Sequence, residues 1–116
     1  MSAEVHRGLG AAPGRVAGTA RVILARDDAM DVPAGSVLVT RIVNPYMAPL
    51  FFRIAAVVVE EGGLLQHATT LAREFGVPAV VGLKDATEIF RDGDRLEVRG
   101  DTGEVLRTGS GTNHEP

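Results

Sequence analysis

The chain contains no cysteine and no tryptophan, and only 4% of its 116 residues are aromatic. The lack of cysteine excludes disulfide bonds, thiol catalysis and zinc sites built on cysteine. The single tyrosine and the four phenylalanines are scattered, so they predict no platform on which nucleic-acid bases stack. The formal net charge is −3 and there is no dense basic stripe. Together these deficits argue against nucleic acid as a partner.

Long hydrophobic runs are also missing. The longest apolar run, residues 54–59, is far too short to cross a bilayer, and residues 1–7 lack the apolar core of a signal peptide. We therefore expect a cytoplasmic protein with no membrane contact. No group of His, Asp and Glu residues falls on one predicted helical face, so we expect no metal site.

The order of apolar segments predicts strands that alternate with helices, which is typical of an α/β fold with one core. Predicted strands are 15–25, 36–40, 55–59, 79–81, 95–98 and 104–106, and predicted helices are 45–54, 64–75 and 84–90. Residues 8–14 are rich in glycine and proline and read as a loop, and Gly18 predicts a kink or bulge within its strand. We divide the chain into a flexible arm (1–7), a single domain (8–107) and a disordered tail (108–116).

The segment 61–78 carries the strongest functional pattern. It places His67 just after Gly62 and Gly63, where a strand turns into a helix, and Gly76 and Pro78 end that helix. The start of a helix offers unpaired backbone N–H groups and the positive end of the helix dipole to an anion. A neutral imidazole there can attack a phosphoryl group. The alternative is that His67 is an ordinary helix residue and that the glycine pair is a tight turn.

Two further residues of this helix extend the hypothesis. Thr70 lies one turn after His67, on the same side of the helix, and offers a hydroxyl. Arg73 lies nearly two turns after His67 and offers positive charge to a phosphoryl oxygen. In the alternative interpretation, Arg73 and Glu74 only form an exposed helix face.

The motifs of this segment resemble those of a known family. The matching residues are the pair Gly62-Gly63, the triplet Gln66-His67-Ala68, the pair Ala72-Arg73 and the run 76–82. The chain resembles, over about residues 8–106, the mobile, swivelling phosphohistidine domain of the phosphoenolpyruvate-utilising enzymes. Pyruvate phosphate dikinase, phosphoenolpyruvate synthase and rifampin phosphotransferase contain such a domain.

The resemblance implies a single compact β/β/α swivelling domain. It also implies that His67 is the phosphoacceptor, and that the phosphate is bound by Gly62, Gly63, Gln66, Thr70 and Arg73. The family carries its ligands on other domains, so we expect no cofactor in this chain. ATP with Mg²⁺, or phosphoenolpyruvate, is expected on two partners, an ATP-grasp nucleotide-binding protein and an acceptor or phosphoenolpyruvate-binding protein or domain.

Three departures from the family pattern matter, and in one of them Thr69 and Thr70 stand where small residues often follow the His-Ala pair. The serine that precedes the family's histidine is Gln66 here, and the threonine near the glycine pair is Val59. The resemblance and these departures leave two candidate functions. The first is a stand-alone phosphohistidine carrier, a component of a phosphotransferase, and the second is a non-catalytic binding or scaffolding module with an altered phosphate pocket. A free-standing hydrolase is disfavoured because the sequence shows no set of nucleophile, base and acid.

Overall fold

The computed structural model describes residues 4–24, 32–62 and 67–110. The eight strands are β1 (Glu4–Arg7), β2 (Leu9–Ala12), β3 (Arg15–Ile23), β4 (Val37–Thr40), β5 (Ala56–Val59), β6 (Ala79–Val81), β7 (Arg95–Arg99) and β8 (Glu104–Gly109). The helices are a 3₁₀ helix (Pro45–Phe52), α1 (His67–Phe75) and α2 (Ala86–Ile89). Ala25, the end of one predicted strand, and residues 64–66, the predicted start of α1, lie outside the described residues.

The strands follow the order β1-β8-β7-β3-β4-β5-β6-β2. The long strand β3 belongs to two sheets, because its first half pairs antiparallel with β7 and its second half pairs parallel with β4. The outer sheet (β1, β8, β7 and the start of β3) is antiparallel. The inner sheet is parallel from β3 to β6, and β2 is added antiparallel to β6.

Successive side chains of the inner strands point to opposite faces of the sheet. They therefore form two cores, one on each face, which separate three layers. Side chains of one parity, such as Leu38 and Val57, pack against the 3₁₀ helix and α1. Side chains of the other parity, such as Val39 and Val58, pack against the outer sheet. Strands buried on both faces read as continuous apolar runs for this reason. The layers are the outer sheet, the inner sheet and the pair formed by the 3₁₀ helix and α1, which confirms the predicted β/β/α domain. The short helix α2 instead packs Ala86 and Ile89 into the core between the two sheets.

The loop predicted over residues 8–14 is wrong, because Leu9–Ala12 forms β2. Gly8 and Gly10 allow close backbone approach, whereas Gly14 has φ +124°. A Cβ on Gly10 would lie 2.2 Å from the carbonyl oxygen of Gly100, and one on Gly100 would lie only 1.8 Å from that of Ala12. Strand β2 therefore crosses the turn between β7 and β8 at a distance that only glycine allows.

The limits of the domain also differ from the prediction. The flexible arm expected over 1–7 is not observed for Glu4–Arg7, which is β1 and pairs with β8 at the edge of the outer sheet. The Glu4 carboxylate accepts a hydrogen bond from Arg107 Nη2 at 2.6 Å, which fixes β1 to its neighbour. At the other end, β8 continues to Gly109, two residues beyond the predicted boundary. Residues 111–116 of the expected tail lie outside the described residues.

Two local features were predicted in part. The apolar spacing after Asn44 predicts an α-helix, but Pro45–Phe52 is a 3₁₀ helix. Pro49 lies inside it, and a proline has no N–H with which to continue an α-helical ladder. Gly18 shows no register shift in its pairing with β7. A Cβ there would lie 2.6 Å from the Gly35 carbonyl oxygen, so the glycine allows close packing instead of a bulge.

Candidate functional site

The candidate residues lie at one edge of the inner sheet, where the parallel strands β3 to β6 all end. The chain leaves β5 through residues 60–62, and α1 is described from His67 onward. The Glu60 N–H donates to the Thr40 carbonyl at 3.0 Å, and the Glu61 N–H donates to the Arg41 carbonyl at 3.0 Å. Strand-like bonding thus continues two residues past β5 and fixes the direction in which the chain leaves the sheet.

Gly62 lies against the chain that leaves β6. The Gly82 N–H donates to the Glu61 carbonyl at 2.9 Å, and a Cβ built on Gly62 would lie 3.5 Å from the Gly82 Cα. Gly82 has φ +68°, a conformation that favours glycine. Two neighbouring turns therefore touch through glycines. Of the other predicted phosphate-binding residues, Gly63 and Gln66 lie outside the described residues.

The side chain of Glu60 ties the end of β5 to α2. Its Oε2 accepts hydrogen bonds from the Thr87 N–H at 2.8 Å and from the Thr87 hydroxyl. Its Oε1 lies 4.0 Å from Arg41 Nε. The sequence gives no signal for this link, because Thr87 is 27 residues away. Glu60 thereby fixes the end of β5, from which the chain continues toward His67.

Helix α1 presents His67 and Thr70 to solvent and buries its other side. Both are exposed, whereas Ala68, Leu71 and Ala72 are buried in the core between the helices and the inner sheet. Residues three apart on a helix are neighbours on its surface. The structure therefore brings the imidazole of His67 and Thr70 to one accessible face, as predicted.

The far end of α1 is fixed by a glycine cap. Gly76 has φ +69°, the Val77 N–H donates to the Ala72 carbonyl at 2.8 Å, and the Gly76 N–H donates to that of Arg73 at 3.4 Å. This is the bonding pattern of a Schellman motif, and it confirms the predicted end of the helix. Phe75 packs edge-on against Phe52 with ring centroids 4.7 Å apart. The helix that carries His67 is thus held at its far end by backbone and side-chain contacts.

Arg73 contacts the backbone of β2. Its Nε donates a hydrogen bond to the Ala11 carbonyl oxygen at 2.8 Å. Arg73 follows His67 by six residues, which is about 9 Å along the helix axis and about a third of a turn around it. The geometry thus gives Arg73 a structural contact that fastens α1 to β2, and it does not place that contact beside His67.

The departure from the family pattern at Val59 falls inside the core. Val59 is 0% exposed and belongs to the core that α1 covers. A valine at this position therefore completes the packing under the helix.

Sequence reasoning missed Thr69, which is buried although its neighbour Thr70 is exposed. Thr69 is 2% exposed, and its Oγ1 has no hydrogen-bond partner among the described residues. Its burial had no clear sequence signal, because Thr69 and Thr70 are adjacent threonines of the same helix. A buried hydroxyl without a partner is unfavourable and is rare in folded proteins.

Across residues 4–24, 32–62 and 67–110, no three His, Asp or Glu side chains lie close enough together to hold a metal ion. Within the same ranges, none of the helices is long and apolar enough to cross a membrane.

Three layers with an accessible histidine on the first described turn of a helix, beside the ends of parallel strands, define a swivelling phosphohistidine-type domain. Residues 32–103 match the family described as PEP-utilising enzyme, mobile domain. The chain belongs to this family of mobile domains of phosphoenolpyruvate-utilising enzymes.

Curated relatives agree with that assignment. The chain is 47% identical over 98 residues to a rifampicin phosphotransferase from a Streptomyces species, an alignment that covers 84% of this chain and 11% of that protein. It is 42% identical over 110 residues to a probable phosphoenolpyruvate synthase from Archaeoglobus fulgidus, covering 95% of this chain and 15% of that protein. The chain thus spans a small part of the length of these relatives.

Solved structures share the fold. An NMR structure of Enzyme I (nEIt) is 27% identical, with a TM-score of 0.60 over 69% of this chain and 33% of that chain. The holo-form of aconitase X from Thermococcus kodakaraensis has a TM-score of 0.68 over 90% of this chain and 98% of that chain. Its identity is 20%, so it supports the fold alone.

Proposed function

We propose that this chain is a phosphohistidine carrier in which His67 accepts a phosphoryl group from one partner and delivers it to another. The observation that carries the proposal is the exposed imidazole at the first described residue of α1, on a helix whose far end and flank are fixed. A carrier needs its reactive group accessible to two different active sites, and this position is accessible.

The chemistry requires only the imidazole and a place for the phosphoryl oxygens. A ring nitrogen attacks phosphorus, the N–P bond forms as the P–O bond to the leaving group breaks, and the other ring nitrogen loses its proton to solvent. In the second transfer an acceptor oxygen attacks phosphorus, the N–P bond breaks, and the ring regains a proton. The histidine thus divides one transfer into two displacements.

The phosphoryl oxygens are assigned to groups at the start of the helix. Backbone N–H groups of Gly62, Gly63 and the first turn of α1 are donors of the kind that bind anions at helix N-termini. The Gln66 amide and the Thr70 hydroxyl add side-chain donors. We assign Arg73 the role of positioning α1, because its Nε donates to the Ala11 carbonyl of β2.

The donor and acceptor sites are assigned to other domains or subunits. Mobile domains of this family work with domains that bind ATP or phosphoenolpyruvate, and the relatives are much longer than this chain. We therefore propose that ATP with Mg²⁺ is bound by an ATP-grasp partner and that phosphoenolpyruvate, or a phosphoryl acceptor, is bound by a second partner, all in the cytoplasm. The chain would act as the phosphotransferase component that moves between them.

A second candidate is a non-catalytic binding module with the same fold. The observation that favours it is Gln66, which replaces the family's serine next to the histidine. The two candidates differ in one property, because only the carrier forms a phosphohistidine that a partner can make and consume.

Transfer from a biological donor tests the carrier. The protein is mixed with ATP, Mg²⁺ and the purified ATP-grasp domain of a phosphoenolpyruvate-utilising relative, or with phosphoenolpyruvate and its binding domain, and its intact mass is recorded. We expect one acid-labile phosphoryl adduct on the wild type and on the control His6→Ala, and none on His67→Ala. An adduct that survives His67→Ala, or no adduct with either donor, contradicts the proposal.

A further inference from the structure

The solvent face of the outer sheet carries an excess of positive charge. Leu96, Val98 and Val105 point into the core between the two sheets, so their neighbours along the strands, and the residues paired with those neighbours, point to solvent. The charged side chains of this surface, which we call the basic face, are Arg7, Arg15, Arg95, Arg99, Glu97 and Glu104. Four arginines and two glutamates give the basic face a net charge of +2, whereas the whole chain has a formal net charge of −3.

The two glutamates of the basic face are shared among three of its arginines. Glu97 Oε2 accepts hydrogen bonds from Arg15 Nε at 2.6 Å and from Arg99 Nε at 2.7 Å. The Glu104 carboxylate lies 3.3 Å from Arg99 Nη1 and 3.1 Å from Arg7 Nη2. These ion pairs tie neighbouring strands together, so a structural role accounts for Arg7, Arg15 and Arg99.

Arg95 is the arginine that takes no part in these ion pairs. Its side chain is exposed, and within the described residues its guanidinium has one hydrogen-bond partner, the neutral Thr19 hydroxyl at 3.1 Å. Arg95 lines a groove of about 400 Å³ that Arg21 and residues 33–36 also line. Arg21 lies 3.3 Å from the Asp92 carboxylate, which balances its charge. The groove therefore presents one guanidinium whose charge no carboxylate of the described residues balances.

Charge and chemistry favour a protein segment rich in Asp and Glu as the occupant of the basic face. A carboxylate matches the fork of a guanidinium and forms charge-assisted hydrogen bonds with it. Nucleic acid fits less well, because Glu97 and Glu104 lie among the arginines and the strands of this face carry no Phe, Tyr or Trp on which bases stack. We propose that the basic face is a docking surface for an acidic segment of a protein partner, with one carboxylate of that segment in the groove beside Arg95.

A partner on the basic face would leave helix α1 uncovered. The helix packs on one side of the inner sheet, and the outer sheet packs on the other side, with its basic face turned outward. An acidic partner would therefore hold the domain while the accessible face that carries His67 stays open. The inference goes beyond the proposed function and does not depend on phosphoryl transfer.

The experiment is a titration of the ¹⁵N-labelled protein with a hexaglutamate peptide, followed by NMR amide shifts at neutral pH and low ionic strength. We expect the shifted amides to lie on β3, on β7 and in residues 33–36, and those of α1 to stay unchanged. Arg95→Glu should raise the Kd about ten-fold, because repulsion replaces attraction, whereas Arg95→Lys keeps the charge and should stay within about two-fold. The matched control Lys84→Glu makes the same change in net charge at an exposed residue outside the basic face, and it should also stay within about two-fold.

Four outcomes overturn the inference. Shifts on another surface, or equal losses of affinity in Arg95→Glu and Lys84→Glu, would show a general attraction between opposite charges. Tighter binding of a hexathymidylate, or of vesicles of anionic lipid, would show that the partner is not an acidic protein. If Arg95→Glu does not fold, Arg95→Ala takes its place with an expected loss of about three-fold, and unchanged affinity then has the same meaning. None of these outcomes bears on the carrier function, because no phosphoryl group is used.

Discussion

Replacing Arg73 by methionine separates a structural role for this residue from a role at the phosphoryl group. The substitution keeps an unbranched apolar stem but removes the hydrogen bond of 2.8 Å from Nε to the Ala11 carbonyl. A hydrogen bond from a charged donor contributes about 1.5–3 kcal/mol, and the exposure of Arg73 reduces this to about 1 kcal/mol. With an m-value of about 1.5 kcal/mol/M, the urea midpoint should fall by about 0.7 M.

The assay combines urea unfolding with the yield of phosphohistidine. Arg73→Met should lose stability and keep the adduct on His67, because the arginine fastens α1 to β2. The matched variant Arg73→Lys retains the positive charge but has no Nε at the bonding position, so it should be destabilised to a similar extent. The reasoning is refuted if Arg73→Met keeps its stability but loses the adduct and Arg73→Lys restores it, because that result assigns the charge to the phosphoryl group.

Three further substitutions test the contacts that hold the strands of the domain together. Arg107→Met removes the 2.7 Å ion pair with Asp94, which is 1% exposed, and should lower the free energy of unfolding measured by calorimetry by about 3 kcal/mol. Adding Asp94→Asn should restore part of this stability, and additive losses in the double variant would contradict the pairing. Gly100→Ala places a Cβ 1.8 Å from the Ala12 carbonyl oxygen and should lower the free energy of chemical unfolding by about 3 kcal/mol. A variant with wild-type stability would show that β2 does not cross the turn between β7 and β8 at Gly100. The Arg107 hydrogen bond lowers the pKa of Glu4 below 4.5, so this contribution to stability is complete above that pH and is lost as pH falls through the lowered pKa. Unfolding midpoints of Glu4→Gln should therefore depend less on pH below 4.5, and an unchanged dependence would contradict the assignment.

The central strands and the helix end could be predicted because local and tertiary signals agree there. Strands β4, β5 and β6 are short apolar runs buried on both faces, which is what a parallel sheet covered on both sides requires. Gly76 ends α1 because a positive φ at this position suits glycine. The three-layer fold followed from the resemblance that these elements share with the family.

Strands β1 and β2 could not be predicted, because their residues are determined by contacts with residues far away in the sequence. Gly10 of β2 is required by the approach of the Gly100 carbonyl oxygen. Gly103 is required by the carbonyl oxygen of Gly8, 95 residues earlier in the chain, which would lie 2.4 Å from a Cβ at position 103. Likewise, β1 is held by Arg107, across a separation of 103 residues. Local composition carries no information about such contacts, so a strand rich in glycine resembled a loop.

The candidate site was predictable where it depends on the helix alone. The shared face of His67 and Thr70 follows from the helical period. The contact of Arg73 and the burial of Thr69 depend on what packs beside the helix, including a strand that the sequence did not reveal. Side-chain partners across elements are therefore the part of the site that required the structure.

The most direct test of the central claim is to locate the phosphoryl group after chemical phosphorylation. The wild type, His67→Ala and His6→Ala are treated with phosphoramidate and analysed by intact mass and by ³¹P NMR at neutral pH. The account predicts a folded protein with a stable N-linked phosphoryl group on residue 67 in the wild type and in His6→Ala. An unchanged adduct in His67→Ala, or a wild type that stays unmodified at residue 67, would contradict it.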